Sequence, residues 1–198
     1  MILTKLPHAC FRLEKAGATL VVDPGVLSDP QAALAGADGV LVTHEHPDHL
    51  AADAVRASGL PVWAHPDVLA QLPGTPLRPG DTADVLGFEV RVFGGRHAHI
   101  HEDVPDLANN AYLLDGRVYY PGDSFDRPEV PVEVALVPIG GPWMKIAEAI
   151  DFVRAVRPTR AHPTHDAVLS GPGQSFSDSW LAQRGGTDYS RLTEPIEL

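Results

Sequence analysis

The sequence predicts one mixed domain of strands and helices, α/β or α+β in class, and three features lead there. Short apolar runs rich in β-branched residues recur along the chain, each bounded by Gly, Pro or Asp. Segments with helical spacing fall between and after them, the alternation expected of a mixed fold. The chain has 198 residues, which suits a single domain able to bury about 70% of the surface its unfolded form exposes. No repeat, low-complexity tract or linker divides it, and its 18 glycines and 19 prolines are spread as loop punctuation.

Taken in order, the predicted strands are CFRLEK, ATLVVDP, GVLVTH, PVWAH, FEVRVFGG, AYLLDGRVYYPGD and VEVALVPIGG, with TRAHP a weaker one. The predicted helices are PDHLAADAVRASG, HPDVLAQL, KIAEAIDFVRAVRP and QSFSDSWLAQR. In the third of these Ile146, Ala149, Ile150 and Val153 form one stripe, and Pro158 closes it. Polar residues then gather at strand C-terminal ends: Asp23 after ATLVV, a histidine cluster after GVLV, His97 after VRVFGG, Asp123 after VYYPG and His165 after TRAHP. Sites in α/β folds collect there because loops from several strands converge on one sheet edge.

Composition narrows the partners. A net charge of −11 with only three lysines argues against a nucleic-acid partner, which draws on clustered Lys and Arg. No run approaches the ~20 apolar residues of a membrane span. The single cysteine, Cys10, rules out an internal disulfide and reads as core; the start MILTKLPHAC lacks a secretory layout, so a cytoplasmic location is expected. A small-molecule substrate is the expected partner, and a homo-oligomer is compatible with this composition.

The densest chemistry is THEHPDHL, residues 43–50, which places His44, His46, Asp48 and His49 within six positions. Independent placement gives such a window in roughly two chains per thousand of this composition, so chance is a poor explanation. In an extended segment alternate side chains share a face, so His44 and His46 suit one ion while the chain turns at Pro47. Asp48 and His49 then open a helix and point toward a second ion. Two histidines with a third from a distant strand, His97, make an open three-ligand zinc arrangement. Asp48, His49 and His165 suit the neighbouring position, with Asp123 able to bridge. Two ions about 4 Å apart would lower the pKa of a shared water and polarise a substrate oxygen.

With VVDP upstream and RH, YYPGD and PTH downstream in order, this motif resembles the metallo-β-lactamase superfamily of metal-dependent hydrolases, over residues 23 to 165. HACFRLEKAGATLVVDP and GGRHAHIHEDVPDLANNAYLL are similar to its small single-domain branch, which includes lactonases of the ascorbate-phosphate type. The resemblance implies an αββα sandwich spanning residues 1–198 with the site on one rim. It implies His44, His46 and His97 at a first metal site, Asp48, His49 and His165 at a second, and Asp123 as the bridge. Asp23 is implied as a buried residue holding the motif loop, and Asp166, after His165, has no implied role. The implied ions are divalent, zinc first, with manganese or iron accepted by the same donors.

Several residues stay ambiguous at this level. His97, His99 and His101 alternate along one stretch read as extended, and His97 is preferred because it comes first after the strand; His99 and His101 are left near the substrate or behind the ligands. In RAHPTHD the Pro163-x-His165 spacing fits the resemblance better than His162. His8 is placed near the site by resemblance, with a core or rim histidine an equal alternative. His65 reads as a surface residue. Trp143 and Lys145 are read either at a pocket mouth, with Lys145 facing an anionic group, or as a packed tryptophan and a capping lysine.

Hydrolysis of an ester, lactone or phosphoester is therefore the leading expectation. Di-iron oxidoreductases of the same superfamily are the rival class, although the flavin-coupled group would carry Glu where His46 stands. Nucleic-acid processing is disfavoured by charge, and a metal-binding protein without catalysis remains a third alternative. Substrate identity does not follow from the sequence.

Overall fold

The computed structural model describes residues 1–198 and consists of two seven-stranded sheets stacked face to face. The first contains β1 (Ile2–Lys5), β2 (Phe11–Lys15), β3 (Ala18–Val22), β4 (Gly39–Val42), β5 (Val62–Ala64), β6 (Thr75–Pro76) and β14 (Ile196–Glu197), in the order β14-β1-β2-β3-β4-β5-β6. The second contains β7 (Thr82–Val85), β8 (Phe88–Gly94), β9 (Asn110–Leu114), β10 (Val118–Tyr120), β11 (Val134–Pro138), β12 (Arg160–Thr164) and β13 (Asp188–Tyr189), in the order β13-β12-β11-β10-β9-β8-β7. Helices α1 (Pro30–Leu34) and α2 (Ala52–Ser58) connect the parallel strands β3, β4 and β5. Helices α3 (Ile146–Val156) and α4 (Gly171–Arg184) do the same for β11, β12 and β13.

Strand alternation sorts the apolar side chains into three layers. Leu41 points between the sheets, where it meets Phe11, Leu20, Phe88, Tyr112 and Leu136, while its neighbours Val40 and Val42 point out toward Leu34 and Val55 of the first helical layer. In the second sheet Leu114, Val134 and Leu136 face inward, whereas Leu113, Ala135 and Val137 face Ala149, Phe152, Val153 and Leu181 of α3 and α4. Burying each such Val, Leu or Phe contributes about 1.5–3 kcal/mol, so both faces of both sheets are covered at a gain. The result is the αββα sandwich, and the stripe read on α3 packs against the second sheet as expected.

Some elements differ from the sequence reading. HPDVLAQL forms only a single 3₁₀ turn at Val68–Ala70. The helix expected from Pro47 begins at Ala52, so Asp48 and His49 do not open it. They sit in a turn in which the His49 and Leu50 amides both donate to the His46 carbonyl. The strand β3 loop holds that turn: Val26 N donates to Pro47 O, Ala51 N donates to Pro24 O, and a Cβ on Gly25 would lie 1.8 Å from Asp48 O. Only glycine permits that approach. The strands β1, β6, β7, β13 and β14 and the five-residue α1 were not read, being too short or too polar to show a period.

The histidine ladder also needs correction. Strand β8 ends at Gly94, and residues 95–109 form a loop rather than an extended segment, so strand spacing does not govern His97, His99 and His101. His97 is buried, whereas the His99 and His101 side chains are 63% and 59% exposed and pair with Asp106 and Asp103.

Candidate metal centre

All seven residues singled out as ligands meet on one edge of the sandwich, at the C-terminal ends of β4, β8, β10 and β12, with Asp23 beside them at the end of β3. Two clusters form there. His44, His46, His97 and Asp123 have ligand atoms within 4.8 Å of one another, and so do His8, Asp48, His49 and His165. Asp123 lies between them: its Oδ1 is 3.0 Å from His49 Nε2, and its Oδ2 is 3.0 Å from His165 Nε2 and 3.3 Å from His97 Nε2. His44 Nε2 faces His46 Nδ1 at 3.1 Å. Only His46 and Asp48 reach solvent to a useful degree, the latter with 26% of its side chain exposed.

Hydrogen bonds on the far side of each ring decide which nitrogen faces the centre. Asp23 is fully buried and accepts from Thr43 N at 2.8 Å, Thr43 Oγ1 at 2.6 Å, His49 Nδ1 at 2.7 Å and Tyr120 Oη at 2.8 Å. Because the Thr43 hydroxyl gives its proton to Asp23, its oxygen is left to accept from His44 Nδ1 at 3.0 Å. His97 Nδ1 donates to Ala98 O at 2.6 Å. In each of His44, His49 and His97 an acceptor thus holds the ring proton on Nδ1, and Nε2 is turned toward the cluster, as such outer partners do for metal-binding imidazoles.

His44 Nε2 meets His46, but the other two inward nitrogens have no hydrogen-bond partners. His49 Nε2, His97 Nε2, both ring nitrogens of His165 and Asp123 Oδ1 are all buried and unpaired. An unsatisfied buried polar atom costs roughly 1–3 kcal/mol, and the gathering of His49, His97 and His165 Nε2 around Asp123 fits a cation better than internal pairing. Electrostatics agree. Burial holds His44 neutral, well below the usual imidazole range. Burial acts the same way on His49 and His165, but there Asp123 with Asp23, and Asp123 with Asp48, outweigh it; His49 is raised and His165 reaches about 9. Burial would raise Asp48 and Asp123, yet the surrounding imidazoles hold both below the ordinary carboxylate range. The two carboxylates call for positive charge, and they favour the protonated form of His49 and His165.

Four contributors escaped the sequence reading or were placed loosely by it. Asn109 is buried; its Oδ1 accepts from Asp123 N at 3.0 Å and its Nδ2 donates to Pro121 O at 2.8 Å, fixing the turn that presents Asp123. Gly122 within that turn has φ 61°, and a Cβ there would meet Asn109 Oδ1 at 2.3 Å. Trp143 is packed, and its Nε1 donates to Asp123 Oδ2 at 3.1 Å. Tyr120, read only as part of an apolar strand, is a direct partner of Asp23. His8 is fully buried against Asp48. Three non-glycine residues here, His8, Asp23 and His165, have φ of 59°, 49° and 55°, a left-handed conformation that His and Asp tolerate better than most residues and that concentrates at functional sites.

Other candidates lie apart. Lys145 is exposed at the start of α3, where Glu148 accepts from its backbone N–H. His162 is buried with Nδ1 on Ser190 O, away from the cluster, and His65 lies beside Asp67. The largest surface cavity, about 590 Å³, is lined by Val26, Glu45, Pro47, Ala51 and Gln71 on the outer side of the motif turn and contains none of the seven residues. The converging His/Asp edge and the largest hollow are separate features of the surface.

Comparison with known proteins decides the lineage. The family described as beta-lactamase superfamily domain matches residues 2–165. The chain belongs to the beta-lactamase superfamily. Within this superfamily it is 35% identical to Protein Rv0786c of Mycobacterium tuberculosis, over 98% of this chain and 97% of that one. It is also 30% identical to the UPF0173 metal-dependent hydrolase MK1542 of Methanopyrus kandleri, over 83% and 84% of the two chains. Among solved structures, the metallo-beta-lactamase fold protein YhfI of Bacillus subtilis matches with a TM-score of 0.79 at 14% identity, covering 100% of this chain and 99% of that one. At that identity the likeness speaks for the superfamily's fold.

Proposed function

We propose that the chain hydrolyses an ester, lactone or phosphoester bond of a small molecule at a centre of two divalent ions, zinc in the first instance. The coarser statement, a metal-dependent hydrolase of the beta-lactamase superfamily, accords with its relatives. One observation carries the finer one: two clusters of converging ligand atoms with the buried Asp123 carboxylate between them. In this reading His44, His46 and His97 hold one ion, Asp48, His49 and His165 hold the other, and Asp123 joins them. Divalent ions held by these residues would supply Lewis-acid chemistry, lowering the pKa of a water and polarising a substrate oxygen.

The chain's own residues do the rest. Asp23 locks His49 directly and His44 through Thr43, so both rings keep Nε2 inward without a reorganisation cost when the ions bind. Asn109 and Trp143 hold Asp123 from backbone and side chain. Substrate approaches from the side of His46 and Asp48, the part of the cluster open to solvent. The test is a panel of lactones, phosphodiesters and thioesters given to zinc-loaded and chelated protein. Hydrolysis of at least one class that vanishes on chelation and returns with metal is expected. Equal activity in both preparations ends the reading.

A further inference from the structure

We propose that His8 is a positioning residue for Asp48 and not a fourth ligand of the second ion. This rests on the two-ion reading above. By proximity alone His8 belongs to the second cluster, since its ligand atom lies within 4.8 Å of those of Asp48, His49 and His165. Its hydrogen bonds separate it from them. The Ala167 backbone N–H donates to His8 Nδ1 at 3.2 Å. An amide N–H has no acceptor capacity, so Nδ1 must present a lone pair, and the one proton of the neutral ring sits on Nε2. That proton points at Asp48 Oδ2, 3.0 Å away. A protonated nitrogen has no lone pair to give a metal. Ligation through Nε2 would require the proton to move to Nδ1, directly against the Ala167 N–H.

The ring is not free to choose another pose. His8 is fully buried in the turn between β1 and β2, in a left-handed conformation with φ 59°. Its carbonyl accepts from His165 N at 3.1 Å and from Lys5 Nζ at 2.5 Å, and its ring lies against His165 with centroids 4.2 Å apart. The same segment, residues 165–167, therefore supplies His165 to the cluster and sets the His8 tautomer. Asp48 gains a fixed rotation from this contact even though part of its side chain meets solvent. The functional consequence is an open second position: three protein side chains and the bridge rather than a closed set, which leaves room for water or substrate.

Two measurements test the assignment. In cadmium-loaded protein carrying isotope-labelled histidine, ring nitrogens that bind metal show cadmium coupling. His49 and His165 are expected to show it, whereas His8 keeps a proton on Nε2 and shows none. Coupling at His8 overturns the proposal, and coupling at no histidine overturns the two-ion reading instead. The second measurement is zinc affinity in His8→Gln and His8→Asn. The Gln amide places an N–H near the former Nε2 and retains the second ion close to wild-type affinity. Asn reaches only the Nδ1 position, leaves Asp48 unheld and weakens the second ion by ~10- to 100-fold with the first unchanged. Equal loss in both variants, or equal retention in both, contradicts the proposal.

Discussion

Asp23 and Asp123 are both buried aspartates at strand ends on facing sheets, and both follow apolar runs, yet their surroundings differ in kind. Asp23 is met by four donors, from Thr43 twice, His49 and Tyr120. Asp123 is met by imidazole nitrogens that make no aligned bond to it, by one indole N–H, and keeps Oδ1 unpaired. A saturated carboxylate holds structure; a carboxylate left unsaturated among imidazole nitrogens is prepared for a cation. The contrast separates scaffold from chemistry within a single polar cluster.

The sharpest way to break that contrast is substitution at the unsaturated side. Asp123→Ala and Asp48→Ala are each expected to lower kcat by at least ~10²-fold on a proven substrate with the fold intact by circular dichroism. Near-normal turnover in either removes that residue from the chemistry. Asp23→Ala probes the other side. It leaves several buried donors unsatisfied at roughly 1–3 kcal/mol each, so thermal denaturation should show a large fall in Tm with and without metal. In Asp123→Ala the loss should instead appear in the stabilisation that added zinc confers, since ions binding only the folded state act by mass action.

Protons standing in for metal give the third expectation. His165 is raised from 6.5 to about 9, burial opposing and Asp123 and Asp48 prevailing. Its contribution to the metal-free fold is fully present below the unfolded value and lost as pH rises through about 9. Metal must displace that proton, so zinc uptake at neutral pH should release protons into a weakly buffered indicator solution, and apparent affinity should rise with pH up to about 9. No proton release breaks this part of the account. The smallest effect is expected at Trp143→Phe, which keeps the packed ring but removes the donor to Asp123. A loss of about 1 kcal/mol, or several-fold in kcat, is the scale of one such bond, with His101→Ala, on the exposed loop, leaving metal content unchanged.

Much of this was legible in the sequence because local patterns carry it. THEHPDHL is contiguous, and Asp23, Asp123 and His165 each follow a recognisable strand. The layers were legible in part: the α3 stripe declares its buried face, while the five-residue α1 and the two-residue strands β6, β13 and β14 are shorter than any period that could reveal them. The supporting residues were not legible for a different reason. Asn109 is 14 residues from Asp123, Trp143 is 20, Tyr120 is 97 from Asp23, and His8 is 40 from Asp48. Such pairs are made by neighbouring loops of one sheet edge or, for Tyr120 and Asp23, by the closure of one sheet on the other. The ladder at His97 to His101 failed because periodicity was carried past Gly94, where the strand stops.

The central claim is that Asp123 stands between two ions. Anomalous diffraction from crystals of the zinc-loaded protein tests it most directly. The account predicts two zinc peaks, each about 2 Å from a different Asp123 carboxylate oxygen, one also bound by His44, His46 and His97 and the other by Asp48, His49 and His165. A single peak under saturating zinc, or two peaks with Asp123 bound to neither, would contradict it.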